Sequence, residues 1–165
     1  MIENDVLLTL AELAVGLIGV SGIVAVFLTK GRLHSADQLR FISIVVNGML
    51  VVVFALVPIW TNSFIEDDES LWRFSSSAGL IITFLIWPPL RLYAVRHPEA
   101  YSFNPGTYHT TTVIAVLSVA LVALNVIGWP LPPNGVFYQI SLLGPLVQVG
   151  ILFASLVVVR PEASR

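Results

Sequence analysis

The stretch FISIVVNGMLVVVFALVPIW, residues 41–60, decides the fold because it holds twenty consecutive residues without a charge. A helix that crosses about 30 Å of hydrocarbon needs about 20 mostly apolar residues. Four further segments show a similar pattern, which predicts an all-α, polytopic membrane protein with a single transmembrane domain over residues 1–165. The five predicted spans are 6–28, 41–60, 74–90, 111–129 and 136–159.

The composition excludes several classes of protein. Apolar residues make up 56% of the 165-residue chain, against eight basic and ten acidic residues, and the mean hydropathy is +0.89. A soluble globular domain does not carry so much apolar sequence, and a net charge of −2 gives nucleic-acid phosphates little to bind. The absence of cysteine excludes disulfides, thiolate catalysis and cysteine–metal sites.

The charges outside the spans predict the orientation in the membrane. One side carries seven basic residues, and the opposite side carries six acidic residues and one arginine. The basic residues are Lys30, Arg32, Arg40, Arg91, Arg96, Arg160 and Arg165, and the acidic residues are Glu3, Asp5, Glu66, Asp67, Asp68 and Glu69. Because short cytoplasmic loops are rich in Lys and Arg, the N-terminus is predicted outside and the C-terminus in the cytoplasm.

The third span has the least regular sequence. Pro88 and Pro89 follow Trp87, and each proline removes an amide donor from a helix. The helix is therefore predicted to kink or end there. Residues 90–96 then either complete the crossing or lie along the membrane surface as a short interfacial helix.

Glu12 is the only carboxylate inside a predicted span, roughly 9 Å along its helix at 1.5 Å per residue. Gly16 and Gly19 follow on the same face, with Gly22 close by, and small residues in a row allow another helix to approach closely. One interpretation is a proton or cation site, because ionisable groups inside membranes are usually functional. The other is a protonated or snorkelling Glu12 at a helix-packing contact.

Polar residues recur every seven positions in two spans. The row in the fifth span is Ser141, Gln148 and Ser155, and the row in the fourth is Thr111, Ser118 and Asn125. Such a row either lines a pore or ligand path, or forms the contact of a left-handed helix pair. Without water, the Gln148 amide needs a protein partner, and Asn125 lies too far toward the outside. Asn47 in the second span needs a partner for the same reason.

No motif indicates catalysis or a bound cofactor. Phosphate-binding glycine loops, zinc-protease motifs and nucleophile elbows are missing, so the chain is predicted not to be an enzyme. His34, His97 and His109 match no ligand spacing, which predicts neither a metal nor a cofactor. The stretch 11–22 resembles small bacterial membrane proteins, a resemblance that implies no activity, and the predicted location is the bacterial inner membrane.

Two functions from different classes are compatible with these features. The first is an oligomeric channel or small-solute pore with a weak preference for cations, with Glu12 as the outer ionisable site and Ser141, Gln148 and Ser155 as the lining. The second is a non-conducting scaffold, sensor or accessory subunit of a larger membrane-protein complex. Because five short helices bury little surface, the predicted partners are the lipid bilayer and further copies of the chain, with no nucleic acid.

Overall fold

The computed structural model describes residues 4–29, 35–96 and 105–158, which form five α-helices and no strand. The helices are α1 (Asn4–Thr29), α2 (Ser35–Thr61), α3 (Asp68–Arg96), α4 (Pro105–Ile127) and α5 (Gly135–Val158). All five are long and apolar enough to cross a membrane, which confirms the predicted class of multi-pass helical membrane protein. Of the predicted basic residues, Lys30, Arg32, Arg160 and Arg165 lie outside the described residues.

The helices run alternately up and down. The first turns of α1, α3 and α5 share one end with the last turns of α2 and α4; we call it the acidic end, since it carries Asp5 and residues 66–69. The opposite end, which carries Arg40 and Arg96, is the basic end. The two central helices are α2, which packs on α1, α3 and α5, and α5, which also packs on α4 and α1.

Local signals place the helix ends at the acidic end. The Ser70 amide donates to Asp67 Oδ2 at 2.8 Å, which caps α3, and the Phe137 amide donates to Asn134 Oδ1 at 3.0 Å, which caps α5. Hydrogen bonds from the side chain and the backbone of Ser70 hold the pKa of Asp67 below its usual value. The fourth span was predicted to reach 129, but α4 ends at Ile127 because Gly128 adopts a left-handed φ of 76°.

Of the two alternatives predicted at the prolines, an end of the helix and a continuation past them, the structure shows the continuation. Pro88 and Pro89 lie inside one helix that continues to Arg96, and no separate interfacial helix forms. A proline deprives the carbonyl four residues earlier of its donor, but the turns on both sides keep their own hydrogen bonds. Inside a membrane protein such a local loss is tolerated where nearby groups adjust.

The buried core lies toward the acidic end. Its members are Leu7, Leu10, Ala11, Ala14, Leu50, Val51, Phe54, Ala55, Leu71, Trp72, Tyr138 and Leu142, and we call them the apolar cluster. The rings of Trp72 and Tyr138 lie 5.6 Å apart between centroids. Large apolar side chains elsewhere, such as Phe27 and Leu85, stay exposed on the outer faces, as hydrocarbon surroundings permit.

Tyr138 also completes the backbone hydrogen bonding of α2. Pro58 has no amide hydrogen, so the carbonyl of Phe54, four residues earlier, lacks its usual donor. The Tyr138 hydroxyl donates to that carbonyl oxygen at 2.6 Å, in a buried position. The proline in α2 and the tyrosine in α5 therefore act as a pair that joins the two central helices.

Candidate functional site

A cavity between α2, α3, α4 and α5 gathers four of the seven polar residues that the sequence singled out. It offers about 50 Å³ to the centre of a water-sized sphere, which is room for more than one water molecule. The four residues are Asn47, Ser118, Ser141 and Gln148. Apolar walls surround them, among them Leu50, Phe54, Leu80, Val119 and Leu142. The fold thus brings polar positions from three helices together at mid-depth.

Gln148 has a partner that the sequence did not indicate. Its Nε2 donates to the backbone carbonyl of Thr111 on α4 at 2.8 Å, and the residue is only 5% exposed. The polar rows of α4 and α5 therefore face each other inside one protomer. Any aqueous path lined by Ser141 and Gln148 must consequently run through the protomer and not along an axis between copies.

The same two helices touch at Gly144 and Ser118. A methyl group built on Gly144 would overlap Ser118 Oγ and would lie 3.0 Å from Ser118 Cβ. Only glycine allows the backbone of α5 to approach the side chain of α4 so closely. This contact forms one boundary of the cavity, because Ser118 also lines it.

Asn47 makes its hydrogen bond within its own helix. Its Nδ2 donates to the Ser43 carbonyl, one turn earlier on α2, at 2.9 Å. The carbonyl oxygen of the Asn47 side chain receives no hydrogen bond from the described residues. That atom is also not fully enclosed, so it can still accept a hydrogen bond.

Helix α3 contributes two cavity residues with polar side-chain atoms that the sequence interpretation missed. Thr83 and Trp87 line the cavity one turn apart, and Gly79 lies one turn further toward the acidic end. Neither Thr83 nor Trp87 makes a side-chain hydrogen bond with the described residues. A threonine four residues before a tryptophan does not by itself indicate a binding site in an apolar span. The two residues come to line the cavity only because α3 packs against α4.

Asn125 lies away from the cavity, in a network that fixes the connection between α4 and α5. It is fully buried, its Nδ2 donates to Ser76 Oγ at 2.9 Å, and its Oδ1 accepts from the Asn134 amide at 2.9 Å. Asn134 in turn caps α5. Beside it, Ser75 Oγ is the one buried side-chain polar atom in the described part of the chain that has no hydrogen-bond partner.

Ser155 lies near the basic end, one turn from the end of α5. Its side chain is buried, and its backbone carbonyl accepts a hydrogen bond from Arg40 Nη1 at 3.0 Å. The last carbonyls of a helix have no donor within the helix, and a cation there is favourable. Arg40 therefore joins α2 to the end of α5, and Ser155 is not among the residues that line the cavity.

Glu12, Gly16 and Gly19 lie on an exposed face of α1. A methyl group added to either glycine would meet nothing within 4 Å, and one on Gly22 would make only an ordinary contact with Phe41 at 3.9 Å. The close approach of α1 occurs instead at Gly48 of α2, where an added methyl group would lie 2.6 Å from the Ile18 side chain. The packing partner predicted for Gly16 and Gly19 is thus not supplied by the described part of this chain.

Within the described residues, no group of three or more His, Asp or Glu side chains lies close enough together to hold a metal ion. His34 and His97 lie outside them, and His109 is exposed on α4. No protein-family model matches the chain, and no curated protein or solved structure is significantly similar to it.

Proposed function

We propose that the protein is a non-conducting membrane subunit, a sensor or accessory subunit, whose binding site is the cavity between α2, α3, α4 and α5. The observation that carries this proposal is the burial of the α4 and α5 polar rows against each other, with Gln148 bonded to the Thr111 carbonyl. A conducting pore would need those side chains to face continuous water.

The apolar cluster closes the cavity toward the acidic end. Leu50, Phe54 and Leu142 belong both to the cluster and to the cavity wall, and the rest of the cluster fills the bundle from there toward the acidic end. Such a packed layer excludes water and ions. The oligomeric pore with a weak cation preference is therefore the less favoured candidate, because its lining residues are buried within one protomer.

Replacing Gln148 with Leu separates these two functions. Leu cannot donate to the Thr111 carbonyl, so the variant is expected to lose about 0.6–2 kcal/mol of stability. Ion flux through reconstituted vesicles should be absent from both wild type and variant. Thermal unfolding and flux, measured on the same preparations, check both expectations.

Gln139 supplies the matched control for that experiment. It lies on the same helix, and its side chain makes no hydrogen bond with the described residues, so Gln139→Leu should leave stability nearly unchanged. The proposal is contradicted if the wild-type protein conducts ions and Gln148→Leu keeps normal stability but loses the flux. That result would favour the channel function.

The proposed orientation places the basic end in the cytoplasm of a bacterial cell, with the protein in the inner membrane. The separation of charge between the two sides of the chain supports it. A reporter fused after Arg165 should be active only when the reporter is one that works in the cytoplasm. Activity of a periplasmic reporter at the same position would reverse the assignment of both ends.

We also propose that the exposed face of α1 packs against a second copy of the chain. Glu12 lies on this face among apolar side chains, and Gly16 and Gly19 leave it open to close approach. Gly19→Leu should leave the folded protomer intact, since nothing lies within 4 Å, and should convert the oligomer into monomers. Size measurement in detergent checks this, with Gly150→Leu on α5 as the control.

An unchanged oligomer with Gly19→Leu would mean that this face of α1 contacts lipid. Gly150 is a suitable control because a methyl group there also meets nothing within 4 Å. If both variants dissociate, the effect is not specific to α1, and that outcome also contradicts the proposed interface.

A further inference from the structure

In the two side-chain amides at the cavity, the nitrogen donates a hydrogen bond to the protein and the oxygen accepts none from the described residues. Asn47 Nδ2 donates to the Ser43 carbonyl and Gln148 Nε2 donates to the Thr111 carbonyl, at 2.9 and 2.8 Å. Neither amide oxygen receives a hydrogen bond from the described residues, and neither is fully enclosed. The residues that line the cavity therefore include two strong acceptors, one on α2 and one on α5.

The two serines at the cavity are acceptors as well. The Ser118 hydroxyl donates to the Ile114 carbonyl at 2.9 Å, and the Ser141 hydroxyl donates to the Tyr138 carbonyl at 2.6 Å. Each hydroxyl has a single hydrogen, so the lone pairs of both oxygens remain for a ligand.

The charge of the lining limits which ligand can use these acceptors. All fifteen residues that line the cavity are uncharged. A cation would enter a low-dielectric site without a carboxylate, since Glu12 lies on the exposed face of α1. An anion would find no basic side chain among the lining residues to balance its charge. An uncharged molecule that donates hydrogen bonds satisfies the acceptors without either cost.

We propose that the cavity binds the hydroxyl or N–H end of a small, uncharged, membrane-soluble molecule. Its polar end would donate to Asn47 Oδ1 and Gln148 Oε1, and its apolar part would contact walls such as Phe54 and Leu80. A volume of about 50 Å³ is smaller than the cavity of about 150 Å³ that holds a benzene ring, so a short, slender group fits best. This inference rests on the proposed function, in which the cavity is the binding site.

Photolabelling tests the inference directly. The probe is an eight-carbon alkanol that carries a diazirine. The matched control probe is the isomeric methyl heptyl ether with the same diazirine, which has the same atoms and nearly the same length but no donor. With purified protein in detergent, the alkanol should label cavity residues such as Leu50, Leu80 and Val119. The ether should label only outer residues such as Phe84 and Leu85, which are exposed.

Asn47→Leu should weaken cavity labelling by the alkanol about fivefold, as expected for the loss of one hydrogen bond between neutral groups. The fold should survive, because the Ser43 carbonyl keeps its helical partner, the Asn47 amide. Thermal unfolding verifies this. Ser155→Ala is the control, since Ser155 belongs to the same polar row as Gln148 but does not line the cavity.

Three outcomes overturn the inference. Equal labelling of the cavity by alkanol and ether would mean that apolar contact alone decides binding. Displacement of the alkanol by Na⁺ or K⁺ at constant ionic strength would identify the oxygens as cation ligands. Absence of cavity labelling by either probe would leave only water there. Ion flux through wild-type vesicles would instead contradict the proposed function, which keeps the two failures distinguishable.

Discussion

Gly144→Ala is expected to destabilise the protein by about 2 kcal/mol, the middle of the range for forcing an extra methyl into a packed contact. The new methyl would overlap Ser118 Oγ and lie 3.0 Å from Ser118 Cβ and 3.4 Å from Ile114 Cγ2. Rotation of the Ser118 side chain removes only the first overlap. The backbones of α4 and α5 must therefore separate, which also widens the cavity.

Thermal unfolding in detergent measures this effect, and the chain supplies a control and a rescue. Gly150→Ala on the same helix meets nothing within 4 Å and should change stability little. Adding Ser118→Gly to Gly144→Ala removes the obstructing side chain and should recover most of the loss. If Gly144→Ala is as stable as Gly150→Ala, the close crossing of α4 and α5 at this position is incorrect.

Asn125→Leu is expected to destabilise the protein by about 2–4 kcal/mol, because it leaves two groups without hydrogen bonds. Ser76 Oγ is completely buried and would lose its only described partner, and the Asn134 amide would lose its acceptor. Hydrogen bonds between membrane helices average about 0.6 kcal/mol, so the expected loss comes mostly from the two orphaned groups.

The measurement is again thermal unfolding, with Asn62→Leu as the control. Asn62 is exposed in the turn after α2, and its side chain makes no hydrogen bond with the described residues, so its replacement should cost less than about 0.5 kcal/mol. A stable Asn125→Leu protein would show that the 128–134 connection does not depend on this network.

Hydrophobic length alone determined the number and the approximate limits of the helices. In hydrocarbon, a run of about 20 apolar residues satisfies its backbone hydrogen bonds by forming a helix. This rule applies whichever helices pack beside it. The helix caps at Asp67 and Asn134 depend only on hydrogen bonds to amides three residues later in the chain. The sequence left open whether α3 ends at Pro88 and Pro89, because the loss of two amide donors does not decide whether the turns on either side stay helical.

Only the tertiary structure decided which faces meet. Glycines 16, 19, 48 and 144 look alike in sequence, yet the first two face outward and the last two lie against Ile18 and Ser118. Inside a membrane, lipid and a neighbouring helix are equally apolar, so hydrophobicity does not tell an outer face from an inner one. The hydrogen-bond partners of Gln148 and Tyr138 are backbone carbonyls. Because every residue carries a carbonyl, the residue types in the sequence could not predict which ones would accept these bonds.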